Sequence, residues 1–168
     1  MGEIKAFELI VTKYQSQLLH FTWSILRNKD EAKDVTQDTF VRSYLHLRSY
    51  DPKKSFKTWL YTIAYNRSMD RIRQDASRLR LIDGLKKEHS SRQERANPEK
   101  SLEDSQQFHL IMRKLNQKER TALSLKLNEG YLTREIADIM GCKESTVRVH
   151  IMNAKRKLKK ILEKKKHV

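Results

Sequence analysis

Apolar residues recur every three or four positions along most of this chain, which is the spacing of one face of an α-helix. The pattern predicts three helices in the first half: about 3–27, from the cap Asn28 to about Leu47, and from Ser55 to about Arg80. In the second half it predicts helices over about 103–115, 117–128, 132–140 and 143–164. We find no convincing period-two pattern of the kind that indicates a strand, so we expect an all-α fold.

The breaks in the helical pattern divide the chain into two parts. With only four glycines and two prolines in the chain, their positions are informative. Residues 81–101 are polar and charged and contain Gly84 and Pro98. We interpret them as a flexible linker between two small helical domains, 1–80 and 102–168, with a further surface helix as the alternative.

The second domain contains a helix-turn-helix pattern in the stretch TREIADIMGCKESTVRVHIMNAKRK. Thr133 suits the start of a helix, and Gly141 suits a left-handed stop after it. In the helix that follows, one apolar stripe predicts a buried face, formed by Val147, Ile151, Ala154 and Leu158.

Charge is distributed unevenly along the chain. The net charge is +15, which points to a polyanion, either nucleic acid or an acidic membrane surface. Residues 53–80 contain eight cations and two anions, and residues 143–168 contain ten cations and two anions. Residues 28–41 contain two lysines and four acidic residues. This acidic segment is either a solvated helix face or a docking site for a basic protein surface.

Several classes of function lack support in the sequence. The single cysteine, Cys142, cannot form an internal disulfide, which fits a reducing cytoplasm. The six histidines do not have ligand spacing, so we expect no metal and no cofactor. No secretion signal or membrane-spanning run is found, and we expect no membrane insertion. An enzyme is the least favoured class because no nucleophile–base pair, carboxylate pair or phosphate-binding glycine loop stands out.

Three blocks of the chain resemble one family of proteins. They are DEAKDVTQDTFVRSYLHL, SFKTWLYTIAYNRSMDRIR and LNQKERTALSLKLNEGYLTREIADIMGCKESTVRVHIMNAKRKLKKIL. In this order and spacing they are similar to the extracytoplasmic-function (ECF) sigma factors, the minimal two-domain members of the bacterial sigma family. The resemblance runs from about Phe7 to Leu162.

The resemblance implies a function for each domain. The first, region two, would bind core RNA polymerase and then open and read the minus-ten element of promoter DNA. The second, region four, would read the minus-thirty-five element. The polymerase core would do the chemistry, and a membrane-anchored anti-sigma factor is a possible inhibitor.

The resemblance also implies three sets of site residues. The polymerase-binding set is Asp34, Val35, Gln37, Asp38 and Phe40. The minus-ten set is Tyr50, Lys53, Lys54, Ser55, Tyr61, Tyr65, Asn66, Arg67, Asp70, Arg71 and Arg73. The minus-thirty-five set, on the second helix of the helix-turn-helix, is Lys143, Ser145, Thr146, Arg148, Val149, Met152, Asn153 and Arg156.

Some roles within these sets stay open at the level of sequence. Tyr61 and Tyr65 are the expected exposed rings, whereas Phe56, Trp59 and Leu60 repeat at helical spacing and are expected in the core. Arg148 suits a guanine edge or a phosphate equally well. The lysines from Lys157 onward suit non-specific phosphate contacts or a solvated tail.

Two departures from the family pattern leave the minus-thirty-five preference open. Asn116-Gln117 stands where many members have a proline, and Val149, His150 and Asn153 replace the usual small or basic residues. The competing class is an autonomous helix-turn-helix regulator that binds operators as a dimer. It would leave the basic third helix and the acidic second helix unexplained. An RNA-binding or membrane-surface protein would explain the charge but not the helix-turn-helix.

Overall fold

The computed structural model describes residues 2–85 and 114–166, and these residues form helices and turns without any strand. The helices are α1 (Gly2–Leu26), α2 (Lys29–Leu45), α3 (Phe56–Leu85), α4 (Gln117–Leu127), α5 (Thr133–Met140) and α6 (Glu144–Lys166), with a short 3₁₀ helix at Leu47–Ser49. The all-α prediction is therefore confirmed. The chain divides into two compact units, Met1–Asn97 (unit 1) and Pro98–Val168 (unit 2).

Two predicted boundaries need correction. Helix α3 continues to Leu85, so residues 81–85 are helical and do not belong to the linker. A single glycine costs a helix only about 1 kcal/mol, so Gly84 does not end it. Lys114 and Leu115, expected to close a helix, form a turn and a bend. The rest of that predicted helix and of the linker lies outside the described residues.

In unit 1, helices α1, α2 and α3 pack around one core. Its most deeply buried large side chains include Leu18, Phe21, Leu60 and Tyr61. The rings of Phe21 and Tyr61 lie 4.9 Å apart, centroid to centroid. Leu18 and Phe21 are three residues apart on α1, and on α3 Leu60 and Tyr61 recur four residues later as buried Ala64 and Tyr65, so the apolar stripes of the two helices meet in this core.

Local hydrogen bonds define where α2 begins. The side chain of Asn28 accepts bonds from the backbone N–H groups of Asp30 (3.0 Å) and Glu31 (3.2 Å), which would otherwise lack partners at a helix start. The predicted cap is therefore confirmed. It fixes the acidic first turn of α2 immediately after α1 ends.

In unit 2, α5 and α6 form the predicted helix-turn-helix. Gly141 has φ +60°, the left-handed conformation that ends α5, and the N–H of Cys142 donates to the carbonyl of Ala137 at 3.0 Å. The apolar stripe of α6 faces inward: Val147 and Ala154 are fully buried, and Leu158 packs on the cluster that contains Ala154. The opposite face of α6 is therefore turned outward.

Candidate nucleic-acid interface

The residues predicted to read the minus-thirty-five element lie on the outward face of α6, except Lys143, which directly precedes the helix. All of them are exposed except Asn153, which is partly buried; the set is Lys143, Ser145, Thr146, Arg148, Val149, Met152, Asn153 and Arg156. Val149 and Met152 are 48% and 58% exposed, an apolar pair on a strongly cationic helix. Exposed apolar side chains between polar ones suit contact with thymine methyl groups in the major groove.

The arginines of α6 have weak partners on the same helix. Arg148 donates to the carboxylate of Glu144 at 2.9 Å, and Arg156 donates to the side-chain oxygen of Asn153 at 3.2 Å. The Arg148 side chain is 68% exposed, so water screens its ion pair. Both arginines can exchange these partners for DNA at little energetic cost.

In unit 1, the loop before α3 is held by Tyr50. Its hydroxyl donates to the backbone carbonyl of Lys54, and its ring lies 5.3 Å from that of Phe56 and 5.2 Å from that of Trp59. The predicted minus-ten loop is thus closed over an aromatic cluster, and the half-buried Tyr50 forms one side of it.

The other predicted loop residues are exposed. The side chains of Lys53, Lys54 and Ser55 face solvent. The backbone N–H of Lys53 donates to the carboxylate of Asp51 at 3.0 Å, and the Ser55 hydroxyl accepts the N–H of Thr58 at the start of α3. The loop therefore combines a fixed backbone with two outward lysines.

The prediction of exposed rings at Tyr61 and Tyr65 is wrong. Tyr61 is fully buried against Phe21, and Tyr65 is only 8% exposed. The two tyrosines are four residues apart and lie on the inward stripe of α3, on the same side as Leu60 and Ala64. Sequence spacing alone did not distinguish this stripe from its neighbour. Neither ring is available to an unpaired base without unfolding of the core.

An ion-pair network joins α2 to α3. The Asp38 carboxylate accepts bonds from Nε of Arg42 at 3.0 Å and Nε of Arg67 at 2.6 Å. Arg67 also donates to Asp70 at 3.0 Å, and Asp70 pairs with Arg73 at 3.0 Å. Burial disfavours the charged form of Asp38, but the hydrogen bonds from Arg67 and Arg42 outweigh it and lower the pKa of that carboxyl.

The network brings together residues predicted for two different tasks. Asp38 belongs to the polymerase-binding set, whereas Arg67, Asp70 and Arg73 belong to the minus-ten set. Arg71 is engaged with Glu31 at 3.6 Å instead. Asn66 is exposed beside them on α3.

The polymerase-binding set contains both surface and core residues. Asp34 and Gln37 are exposed and Asp38 is partly exposed. Val35 and Phe40 are each only 7% exposed and support α2 from within, and Phe40 also lines the groove described next. Their burial follows from spacing, because Val35 lies four residues before buried Thr39 and Phe40 lies four residues after buried Thr36.

Beside Gln37 lies an apolar groove between α1 and α2 that the sequence analysis did not identify. It is lined in part by Phe7, Val11, Phe40, Val41, Tyr44 and Leu45. Val41 is 52% exposed and Leu45 is 70% exposed. A signal was present in the sequence, since Val41, Tyr44 and Leu45 recur at three- and four-residue spacing just after the acidic segment.

Over 2–85 and 114–166, no group of three or more metal-ligating side chains comes together. In the same ranges, no helix has the length and apolar character needed to cross a bilayer.

The two units match different family profiles. The sigma-70 region 2 profile matches residues 10–78, and the sigma-70 region 4 profile matches residues 105–158. The chain is 32% identical to the ECF RNA polymerase sigma factor SigW of Bacillus subtilis, over 96% of this chain and 91% of that protein. It is 30% identical to the RNA polymerase sigma-H factor of Pseudomonas aeruginosa, over 96% of this chain and 89% of that protein.

Solved structures share the fold. The sigma factor RpoE, crystallised with the anti-sigma factor NepR from Bartonella quintana, matches with a TM-score of 0.77 at 24% identity, over 95% of this chain and 98% of that chain. CnrH, solved with the cytosolic domain of CnrY, matches with a TM-score of 0.67 at 25% identity, over 95% of this chain and 88% of that chain.

A helical region-two unit followed by a helix-turn-helix region-four unit defines a promoter-specificity subunit of bacterial RNA polymerase. The chain belongs to the sigma-70 family, among its ECF members. It is an alternative sigma factor that binds core RNA polymerase and directs transcription initiation at specific promoters. The competing class, an autonomous regulator, would leave the region-two match unexplained.

Proposed function

We propose that this sigma factor divides its work among three surfaces: the α2 face with its adjoining groove for the polymerase, the loop 50–55 with α3 for the minus-ten element, and the outward face of α6 for the minus-thirty-five element. The observation that supports this division best is the exposed acidic and apolar surface on α2. In a chain of net charge +15, such a surface is unsuited to DNA and suited to protein.

The polymerase surface consists of Asp34, Gln37 and Asp38 with the groove lined by Val41 and Leu45. The exposed carboxylates provide charge complementarity to a basic partner, and the groove provides apolar area to bury. Val35 acts only indirectly, since it keeps α2 in place, whereas Phe40 contributes to the wall of the groove.

At the minus-ten element, the closed loop offers a preformed frame for an unpaired base. Tyr50 fixes the loop backbone, which lowers the ordering cost of holding a flipped nucleotide. Lys53, Lys54 and Arg73 are exposed and suit phosphates, and Asn66 suits a base edge. Tyr61 and Tyr65 are left out of this surface because they are buried.

At the minus-thirty-five element, the N-terminal half of α6 enters the major groove. Arg148 and Asn153 would bond base edges, and each good bidentate contact is worth about 1–3 kcal/mol of discrimination. Val149 and Met152 would meet thymine methyl groups, and Thr146 with the helix start suits a phosphate. Lys143, Ser145 and Arg156 would contact the backbone on either side.

Three further properties complete the proposal. The chain has no enzymatic activity of its own, acts in the cytoplasm, and is held inactive by a membrane-anchored anti-sigma factor. The complex of RpoE with the anti-sigma factor NepR supports the expectation of an anti-sigma factor, since that protein has a similar fold, and the membrane anchor rests on the family resemblance alone. The test is to co-express this factor with a membrane protein that is encoded beside it. If transcription by the factor is not inhibited, that result counts against an anti-sigma factor of this kind.

Binding to purified core RNA polymerase tests the α2 surface. We expect Asp34→Lys and Asp38→Lys each to weaken binding by about tenfold or more, because each places a cation against a basic partner. Asp30→Lys is the matched control, with the same charge change on the same helix at a side chain that is 92% exposed. Equal binding by all four proteins would refute the assignment of this surface.

Run-off transcription from a random promoter library, with the reconstituted holoenzyme, then identifies the two promoter elements. We expect Arg148→Ala to relax the preference at one position of the upstream element and to leave the downstream element unchanged. An altered downstream preference, with the upstream one intact, would contradict the assignment of α6.

A further inference from the structure

One cation of α6 does not face outward. Lys157 Nζ donates to both carboxylate oxygens of Glu119 on α4, at 3.0 and 2.7 Å. The Glu119 side chain is only 3% exposed. A carboxylate at that depth needs a partner, since an unpaired buried charge is strongly unfavourable.

The same carboxylate also organises the start of α4. Glu119 accepts the backbone N–H of Asn116 at 2.9 Å, and the Asn116 side chain accepts the N–H of Glu119 at 2.9 Å. This reciprocal capping box begins α4 where many family members have a proline. Glu119 therefore links three things: the first turn of α4, the turn before it, and the C-terminal half of α6.

Lys157 differs in this respect from the lysines near it. Its side chain is 39% exposed, whereas that of Lys159 is 77% exposed and Lys155 and Lys160 are also exposed. If Lys157 turned to a phosphate, Glu119 would lose its partner inside unit 2. The geometry therefore disfavours the phosphate contact that the sequence suggested for this lysine.

We propose that Lys157 is a positioning residue for minus-thirty-five recognition, which ties α6 to α4 through Glu119 and makes no contact with DNA. This rests on the proposed reading of that element by α6. The apolar stripe holds α6 against unit 2, and the Lys157–Glu119 pair lies near its C-terminal end, about 15 Å from Val147 at 1.5 Å per residue. Without Lys157, Glu119 would stay charged and buried under α6, and a displacement of α6 that hydrates this carboxylate would shift Arg148 and Asn153 relative to base edges.

The test uses reconstituted holoenzyme and the promoters that it selects from the random library. For each variant we would measure the affinity for the selected promoter, the ratio of that affinity to the affinity for the same promoter with a scrambled upstream element, and the slope of log affinity against log salt. The variants are Lys157→Met, the double variant Glu119→Gln with Lys157→Met, and the matched control Lys160→Met. Circular dichroism and thermal unfolding of each protein report whether it folds.

The positioning role predicts that Lys157→Met lowers the discrimination ratio by roughly 5- to 100-fold and leaves the salt slope unchanged. This range is the free-energy cost of leaving a buried group unpaired, expressed as a fold-change. The double variant should recover most of the ratio, because its neutral amide still accepts the Asn116 N–H and leaves no buried charge. Lys160→Met should leave the ratio unchanged.

A phosphate contact predicts a different pattern. Loss of such a contact lowers the magnitude of the salt slope by about 0.9, and the promoter affinity of the double variant would be as low as that of Lys157→Met. That result, or an unchanged ratio in Lys157→Met, would overturn the positioning role. If Lys157→Met does not fold, the salt slope of the double variant decides: it keeps the wild-type value under the positioning role and falls by about 0.9 under a phosphate contact. If the proposed reading by α6 is itself wrong, the wild-type protein will not discriminate against the scrambled element.

Discussion

The two units each contain a carboxylate that joins two helices, but in very different surroundings. In unit 1, Asp38 connects α2 to α3 through Arg67, and its side chain is 37% exposed. In unit 2, Glu119 connects α4 to α6 through Lys157, and its side chain is 3% exposed. Water therefore replaces the partners of Asp38 easily and cannot replace the partner of Glu119.

A partner protein can therefore replace the contacts of Asp38, whereas the contact of Glu119 with Lys157 is not open to replacement. The proposed polymerase and minus-ten surfaces share the Asp38–Arg67 pair, so engagement of Asp38 by the polymerase would remove one of the two carboxylates that hold Arg67. The Glu119–Lys157 pair is instead buried within the unit, where no partner reaches the Glu119 carboxylate.

The largest effect is expected from Lys157→Met, which should lower the free energy of unfolding of unit 2 by about 2–3 kcal/mol by leaving Glu119 buried without its partner. Hydrogen exchange of the amides of α4 and α6 measures this directly. Trp23 and Trp59, the only two tryptophans, both lie in unit 1, so their emission should report unchanged unfolding there.

The matched control is Lys160→Met, at an exposed lysine three residues further along α6. It should leave amide exchange in α4 and α6 within about 0.5 kcal/mol of the wild type. If Lys157→Met and Lys160→Met lower the free energy of unfolding equally, the Glu119 pair contributes no more than an exposed lysine does. The proposed difference between Glu119 and Asp38 would then be wrong.

The regular parts of the fold could be predicted from the sequence because they follow from local rules. The cap at Asn28, the stop at Gly141 and the buried stripe of α6 each depend on a few neighbouring residues. The resemblance of three blocks then identified the family, which the profile matches confirm.

The errors arose where tertiary packing decides. Tyr61 and Tyr65 occupy a stripe of α3 next to that of Phe56 and Trp59, and only the placement of α1 determines which stripe is inward. The pairing of Lys157 with Glu119, 38 residues earlier in the chain, was also invisible, because the sequence shows Lys157 merely as one of many tail cations.

An intermediate effect is expected from acid. Burial disfavours the charged form of Glu119, but the bonds from Lys157 and from the Asn116 backbone outweigh it, so the pKa lies below its ordinary value of 4.5. The folded state therefore favours the ionised carboxylate. Its contribution to stability is complete above pH 4.5 and is lost as the pH falls through the lowered pKa.

Unfolding of unit 2 measured from about pH 7 to 3, in the wild type and in Glu119→Gln, separates this contribution. Burial first and Lys118 second lower the pKa of His150, while Glu119 raises it. A loss of stability that begins near pH 6.5 therefore belongs to His150 and persists in the variant. The further loss below pH 4.5 should be absent from Glu119→Gln. Identical curves below pH 4.5 would show that the Lys157 pair does not stabilise the ionised form.

The smallest effect is expected from Asp38→Asn. It removes the charge that Arg42 and Arg67 share, yet the free energy of unfolding of unit 1 should fall by only about 0.5–1 kcal/mol, because exposed ion pairs are weak. Chemical unfolding followed by tryptophan emission measures it, since both tryptophans belong to this unit. Arg42→Gln, which removes one partner and leaves Asp38 paired with Arg67, is the control.

If Asp38→Asn lowers the free energy of unfolding as much as Lys157→Met does, the ion-pair network between α2 and α3 is needed for folding. A partner protein could not then replace its ion pairs. A small loss of stability combined with weaker polymerase binding would show instead that a partner can replace the ion pairs of Asp38. Arg67 would then be held in the unbound protein by a carboxylate that the polymerase competes for. Because Asp70 remains beside Arg67 at 3.0 Å, the arginine would keep its orientation on α3 after Asp38 is withdrawn.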